Sequence, residues 1–454
     1  MDQITLSDET PMDEYNEAYR PQFHFTAQKN WLNDPNGLVF YDGEYHLFFQ
    51  HNPLGREFGE MAWGHAVSRD LVHWRQLPHA LLPDARGPIW SGSAVVDWNN
   101  TSELGGPDKP PLVALYTAAG DPFTQCLAFS LDRGRTWTKY AHNPVLPHIV
   151  GGNRDPKVVW HEPTRCWIMA LYLDGSDFAL FSSLDLKAWT RLQTLTLPGC
   201  DECPDFFEMP IEGSPSEHKW VFTAANGCYQ VGTFDGHKFT PESGALQVDY
   251  GANFYAVQTY SDIPRADGRR IQIAWMRGGE YPQMPFNQQM SFPCELTLHR
   301  TPDGLRLRRQ PVREIANLYG KEQRWRDRTL APGDDPLRAL SGELWDIHAE
   351  FEVGTATALR FRVRGADVRY DVKDQAVTAL GRTAPLRLDG LRLVLRLLVD
   401  RTSLEVFGED GQISLTSCFL PSPDDKTLAV SADGGPAKIV SLSVHPLHSA
   451  WLRP

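Results

Sequence analysis

A motif that returns at a near-constant interval constrains this chain more than any other feature. Ser68-Arg69-Asp70-Leu71-Val72-His73-Trp74 resembles Ser130-Leu131-Asp132-Arg133-Gly134-Arg135-Thr136-Trp137. Both resemble Ser183-Leu184-Asp185-Leu186-Lys187-Ala188-Trp189, and Thr233-Phe234-Asp235-Gly236-His237-Lys238-Phe239 is a weaker fourth copy. The aspartates stand at 70, 132, 185 and 235, intervals of 62, 53 and 50 residues. Ser-x-Asp, a short turn and an aromatic suit a tight hairpin. The carboxylate accepts backbone N–H bonds in the turn, and the aromatic packs on the next strand. A period of about 50–60 residues with several strands per unit predicts propeller blades, and residues 20–310 hold about five of them.

The intervening sequence agrees. Short apolar runs alternate with turns at Tyr45–Phe49, Ala94–Trp98, Leu112–Thr117, Lys157–Trp160, Trp167–Tyr172 and Trp220–Ala224. The 36 Gly and 34 Pro are spread along the chain, which suits short strands rather than long helices. Past Pro311 the texture changes. Lys321, Arg324, Arg326, Asp327 and Arg328 read as an exposed, partly helical linker. Beyond it, Leu359, Phe361 and Val363 interleave with arginines, and Leu391, Leu393, Leu395, Leu397 and Val399 repeat the alternation. Period two, with one buried and one wet face, predicts an antiparallel sandwich, with Asp389-Gly390 and Asp410-Gly411 at tight turns. The expected fold is therefore all-β: an N-terminal arm (1–20), a five-bladed β-propeller (21–315), a linker (316–335) and a C-terminal antiparallel β-sandwich (336–454).

A formal charge of −13 repels phosphate backbones and anionic lipid, so nucleic acid and membrane insertion are not expected. The seven Cys are odd in number and scattered, which argues against a disulfide framework. Cys200-x-x-Cys203 has no second pair with which to complete a zinc site, and no metal is expected. Residues Met1 to Tyr19 lack the basic start and apolar stretch of a secretory signal. The expectation is a cytoplasmic protein as written, or an extracellular or periplasmic one if a leader has been removed. Oligomeric state is not legible.

Three acidic clusters carry candidate chemistry: Asn33-Asp34-Pro35, Asn153-Arg154-Asp155-Pro156 and Asp201-Glu202-Cys203-Pro204-Asp205. Gly37 and the neighbouring Asn residues allow tight turns, and Pro35 biases Asp34 away from helix, so Asp34 is expected at a turn leading into a strand. Each cluster alone is an ordinary turn or a solvated acidic run. Together, one per blade, they can converge on a central funnel.

Trp31-Leu32-Asn33-Asp34-Pro35-Asn36-Gly37, Arg154-Asp155-Pro156 and Glu202-Cys203 resemble, in order and spacing, the three signature motifs of glycoside hydrolase family thirty-two. Trp63-Gly64-His65-Ala66, Trp90-Ser91-Gly92-Ser93 and the stretch Leu397 to Phe407 extend the resemblance. It implies the propeller-plus-sandwich fold and a retaining reaction. Asp34 would be the nucleophile, Glu202 the general acid and then base, and Asp155 with Arg154 the binder of fructose hydroxyls and of the transition state. Glu202 would need a raised pKa, and retention requires the Asp34 and Glu202 carboxyls about 5–5.5 Å apart. Asn33, Gln50, Trp63, Trp90, Ser91 and Arg154 would bind substrate. Two departures stand out: Phe58 where many relatives carry Trp, and Trp90 where Phe is common.

Met284 to Leu296 and Gly251 to Ala256 look more like the levanase and exo-inulinase branch. The resemblance thus implies an exo-acting fructan β-fructosidase that takes levan or inulin, with sucrose as a side substrate and no cofactor. A fructosyltransferase, a sucrose-preferring invertase and a non-catalytic fructan-binding protein are the alternatives.

Overall fold

A computed structural model describes residues 15–106, 109–388 and 390–451. Most of the expected N-terminal arm, Asp389 and the last three residues lie outside the described set. Strand pairing divides the first part of the chain into five four-stranded antiparallel units. Their first strands are Asn30–Tyr41, Ile89–Val96, Arg154–His161, Asp205–Ile211 and Tyr255–Thr259. The fifth unit continues through Arg270–Trp275, Cys294–Thr301 and Gly304–Pro311.

The repeated motif does the work its chemistry predicts. In the first four units it links the third strand to the fourth. Asp70 accepts from the N–H groups of Val72 and His73, Asp185 from those of Lys187 and Ala188, and Asp235 from those of His237 and Lys238. The indole N–H groups of Trp74, Trp137 and Trp189 donate to the carbonyls of Leu71, Gly134 and Leu186, each at 3.1 Å.

The five first strands close into a ring, each lying against the next and the fifth against the first. Buried polar side chains stitch this ring. The Asn36 amide oxygen accepts from Gly92 N–H, Ser93 bridges Pro156 O and Val158 N–H, and Gln258 accepts from Leu38 N–H while donating to Gly92 O. Lys157 donates to Thr259 O at 2.5 Å and lies 3.5 Å from Asp205, which accepts from Thr259 N–H.

The second domain packs a six-stranded sheet on a five-stranded one. Its core takes Leu359, Phe361, Val363, Leu393, Leu395, Leu397 and Val399, as the alternation predicts, whereas Leu391 is 60% exposed. Leu398 and Phe407 point the other way and join the propeller's Phe23, Phe25 and Phe292 in one cluster, so the sandwich's second face is apolar where the first domain covers it.

Two expectations, on the linker and on the cysteines, are corrected. Within the expected linker, Gln323–Leu330 is a strand that pairs with Ala437–Pro446 at the edge of the six-stranded sheet. It is exposed on nearly every residue, so it carries no alternation to read. The arm is packed from its described start: Tyr15 stacks on Trp451, and Arg20 is buried against Thr26, Ala27 and Phe286. Cys200, expected to be free, forms a disulfide with Cys228, because the fold brings together residues 28 apart in sequence. No helix among the described residues is long and apolar enough to cross a membrane.

His24 clamps the two domains. Its Nδ1 lies 2.9 Å from Asp400 and its Nε2 3.0 Å from Glu405, with all three side chains fully buried. Burial works against a charged imidazole, but bonds to the two carboxylates prevail and raise its pKa to about 9. The folded pKa lies above the unfolded value of about 6.5, so this stabilisation is full below pH ~6.5 and is lost as pH rises through about 9. His24→Ala is expected to cost about 3–5 kcal/mol at pH 6, since it removes the cation between two buried carboxylates. In guanidinium denaturation the gap between wild type and variant should narrow by pH 9.5. A gap that does not change with pH would contradict a charged clamp.

Candidate active site

The Asn30–Tyr41 strand slips register between Leu32 and Pro35, which places Asn33 and Asp34 in a β-bulge. Asp34 therefore lies inside the strand, not in a turn before it as expected, and the bulge aims its side chain. Gly37 (φ 53°) completes the distortion, since a Cβ there would meet the Phe48 ring at 2.6 Å. Asp155 (φ 63°), Glu202 (φ 50°) and Cys203 (φ 42°) all take left-handed backbone, which is uncommon for such residues. Asp155 donates its N–H to Thr117 Oγ1 at 3.0 Å, and the carbonyl of Glu202 accepts from Ala225 N–H at 3.1 Å.

These elements bring the three expected carboxylates into one hydrogen-bonded group. Ser91 Oγ donates to Asp34 Oδ2 at 2.5 Å and Asn33 Nδ2 to Asp34 Oδ1 at 3.0 Å, with Asn33 itself held by the Trp31 indole N–H at 2.9 Å. The Cys203 thiol lies 3.7 Å from Asp34 Oδ2 and 3.5 Å from Asp155 Oδ2, and Cys203 N–H donates to Asp155 at 3.0 Å. Arg154 joins the remaining pair: its Nη2 makes a short contact with Glu202 Oε1 and its Nε lies 3.8 Å from Asp155 Oδ2. Tyr255 OH closes the group on Glu202 Oε2 at 2.5 Å.

Crowding sets the charges. Burial raises the pKa of Asp34, against the bonds from Ser91 and Asn33. Burial, with the charges of Asp34 and Glu202, lifts Asp155 to about 7 despite Arg154. Burial also pushes Glu202 up, but the bonds from Tyr255 and Arg154 outweigh it and hold this carboxyl low. That is opposite to the raised pKa expected of Glu202. Both partners donate to it and favour the anion. The Cys203 thiol is pushed well above its usual range, chiefly by burial, and stays protonated.

Of the other expected residues, Asn33, Ser91 and Arg154 touch the carboxylates directly. Gln50 is buried, and its Nε2 has no hydrogen-bond partner among the described residues. Trp90 meets Phe123 edge-on at 5.0 Å and Phe58 at 6.0 Å, and lies 6.0 Å from the Arg154 guanidinium. Trp63 is corrected: it is 0% exposed, packs on Phe48 and Tyr116, and donates its N–H to Trp90 O at 3.0 Å. It offers no face to a ligand. Sequence reasoning misses Tyr255 as a partner of Glu202, because nothing local to a Tyr marks it as reaching a carboxylate 53 positions earlier. Asp34, Asp155 and Cys203 present ligand atoms within 4.8 Å of one another, a spacing compatible with a metal ion. Ser91, Asn33 and the Cys203 N–H already occupy part of that donor set. A cavity of about 220 Å³ in the region of Gln310, Arg392 and Arg396 contains none of the three carboxylates.

A propeller-type domain whose axis gathers two aspartates, a glutamate and an arginine has the makings of a two-carboxylate glycosidase site. Comparison with known proteins gives the same class. Residues 24–311 match the glycosyl hydrolases family 32 N-terminal domain and residues 314–446 the family 32 C-terminal domain, so the chain belongs to glycosyl hydrolase family 32. It is 41% identical to a levanase of Bacillus subtilis (strain 168), covering 96% of this chain and 72% of that one. It is 34% identical to an extracellular exo-inulinase of Aspergillus niger over 96% of each chain. The crystal structure of an exo-inulinase from Aspergillus awamori matches it with a TM-score of 0.89 at 31% identity, covering 96% of this chain and 100% of that one.

The burial of Trp63 has a measurable consequence. Trp63→Ala is expected to lower unfolding free energy by about 3–5 kcal/mol in guanidinium titration, as loss of a core aromatic does. An unchanged midpoint would contradict the packing described above.

Proposed function

We propose that this protein is an exo-acting retaining glycosidase that releases terminal β-D-fructose from levan or inulin, with sucrose as a side substrate. The observation that carries the reading is the single hydrogen-bonded group of Asp34, Asp155, Glu202 and Arg154 in a family 32 chain. The names of its relatives, a levanase and exo-inulinases, support the substrate class.

In the first half-reaction an Asp34 carboxylate oxygen bonds to the anomeric carbon of the terminal fructose. The bond from that carbon to the leaving oxygen breaks, its electron pair stays on the oxygen, and Glu202 supplies the proton. In the second, Glu202 takes a proton from water as the water oxygen attacks the anomeric carbon and frees Asp34. Asp155 and Arg154 hold the sugar hydroxyls. A leaving oxygen that enters beside Glu202 competes with Tyr255 and Arg154 for it and expels water. Burial then dominates, and the Glu202 pKa moves up toward the value an acid needs. The thiol of Cys203, neutral beside Asp34, adds a donor without adding charge.

For the compartment, we favour a location outside the cytoplasm. A related exo-inulinase is named extracellular, and the Cys200–Cys228 disulfide suits an oxidising environment.

Chromatography of products from levan, inulin and sucrose tests the reaction. Wild type is expected to release free fructose, and Asp34→Asn to fold normally while losing roughly 10⁴-fold or more in turnover. Lengthened oligosaccharides in place of fructose would indicate transfer rather than hydrolysis, and near-normal turnover by Asp34→Asn would remove Asp34 as nucleophile. Tyr255→Phe takes away a bond that favours ionised Glu202, so the Glu202 pKa should rise. The alkaline limb of kcat/KM against pH should then move to higher pH, with an accompanying loss of about tenfold in kcat. A limb that stays in place would show that Tyr255 does not act on the acid.

A further inference from the structure

Glu202 must hand its proton to the leaving oxygen, so the departing sugar has to lie beside Glu202. This step rests on the fructosidase reading above. Tyr255 touches Glu202 at 2.5 Å, and the guanidinium of Arg277 lies over the Tyr255 ring at 4.5 Å and near the Trp275 ring at 5.9 Å. One aromatic ring therefore separates this cation from the acid. Arg277 is exposed, and among the described residues it has no carboxylate partner. Its backbone is held: Asn253 Nδ2 donates to Arg277 O at 2.6 Å, and the next N–H, that of Gly278, donates to Gln288 Oε1 at 3.2 Å. A fixed backbone, a flat aromatic rest and no counter-ion leave only the guanidinium unassigned.

We propose that Arg277 recognises the leaving sugar and sets preference among leaving groups. A guanidinium laid on an aromatic face keeps its N–H groups pointing outward in its own plane, because the stacking uses the face and not the donors. Those donors match the hydroxyl oxygens of a neutral glycosyl leaving unit. Trp90, which lies near the guanidinium of the acid's other partner, Arg154, supplies an apolar surface in the same site. A small leaving group such as methoxide gives Arg277 nothing to grip, whereas a fructosyl or glucosyl unit does.

The test compares wild type, Arg277→Lys and Arg277→Ala on methyl β-D-fructofuranoside and on a fructan trisaccharide. The readout is the ratio of kcat/KM for the trisaccharide to that for the methyl fructoside. Loss of a charge-assisted hydrogen bond predicts that this ratio falls about 10- to 100-fold in Arg277→Ala and by less in Arg277→Lys; a shift of the alkaline limb, expected because the Arg277 charge helps hold Glu202 low, leaves the ratio untouched. An unchanged ratio overturns the proposal. That includes the case in which both substrates slow equally and the limb shifts, which would mean that Arg277 acts only through the charge of Glu202. Wild type inactive on both fructosides would instead overturn the fructosidase reading, and this proposal with it. Wild-type activity on the methyl fructoside therefore separates the two failures.

Discussion

The structure depends on one closed ring of first strands and on the polar side chains that stitch it. Most backbone hydrogen bonds run within a unit, and only a few, such as Ser261 N–H to Leu38 O and Ile89 N–H to Met61 O, cross from one unit to the next. Asn36, Ser93, Lys157, Asp205 and Gln258 add to these by reaching across and bonding the neighbour's backbone. Removing one partner of such a buried contact leaves an unsatisfied group, so each contact is costly to break. Asp34 and Asp155 stand on strands stitched in this way, and Glu202 stands three residues before another. The same closure that makes the domain stable brings carboxylates 168 positions apart into one cluster.

That cluster is electrostatically frustrated by design of its surroundings. Three carboxylates meet one half-buried guanidinium, and burial raises the pKa of Asp34 and Asp155 while bonds from Tyr255 and Arg154 hold Glu202 low. The proton needed for glycosidic cleavage must therefore reach Glu202 as substrate arrives. Left-handed backbone at Asp155, Glu202 and Cys203 places strain at the same spot, tolerated because the ring around it is rigid. The sandwich contributes to that rigidity through Glu405, which binds His24, Phe292 N–H and Arg309 from the propeller side.

Much of the architecture was legible. Ser-x-Asp with a following Trp announces its own hairpin because every partner lies within a few residues, and the spacing of copies then counts units. Alternation in Leu359 to Val363 and in Leu393 to Val399 reports a half-buried sheet for the same local reason. The Gln323–Leu330 strand was not legible, since only Trp325 and Leu330 of this edge strand meet the core, five positions apart, and leave no alternation. Nor was the packed state of Trp63, whose neighbours Phe48 and Tyr116 lie on other strands.

The sequence by itself determined the hairpins, the division into a propeller and a sandwich, and, through the order of three motifs, the identity of Asp34, Asp155 and Glu202 as a set. Only the tertiary structure decided that Asp34 rides on a bulge, that Cys200 pairs with Cys228, that Glu202 is gripped by Arg154 and Tyr255, and that Arg277 lies over the Tyr255 ring. The physical reason is range. Turns and alternation are short-range consequences of local chemistry, whereas hydrogen bonding, burial and protonation at the site depend on which distant residues ring closure makes into neighbours.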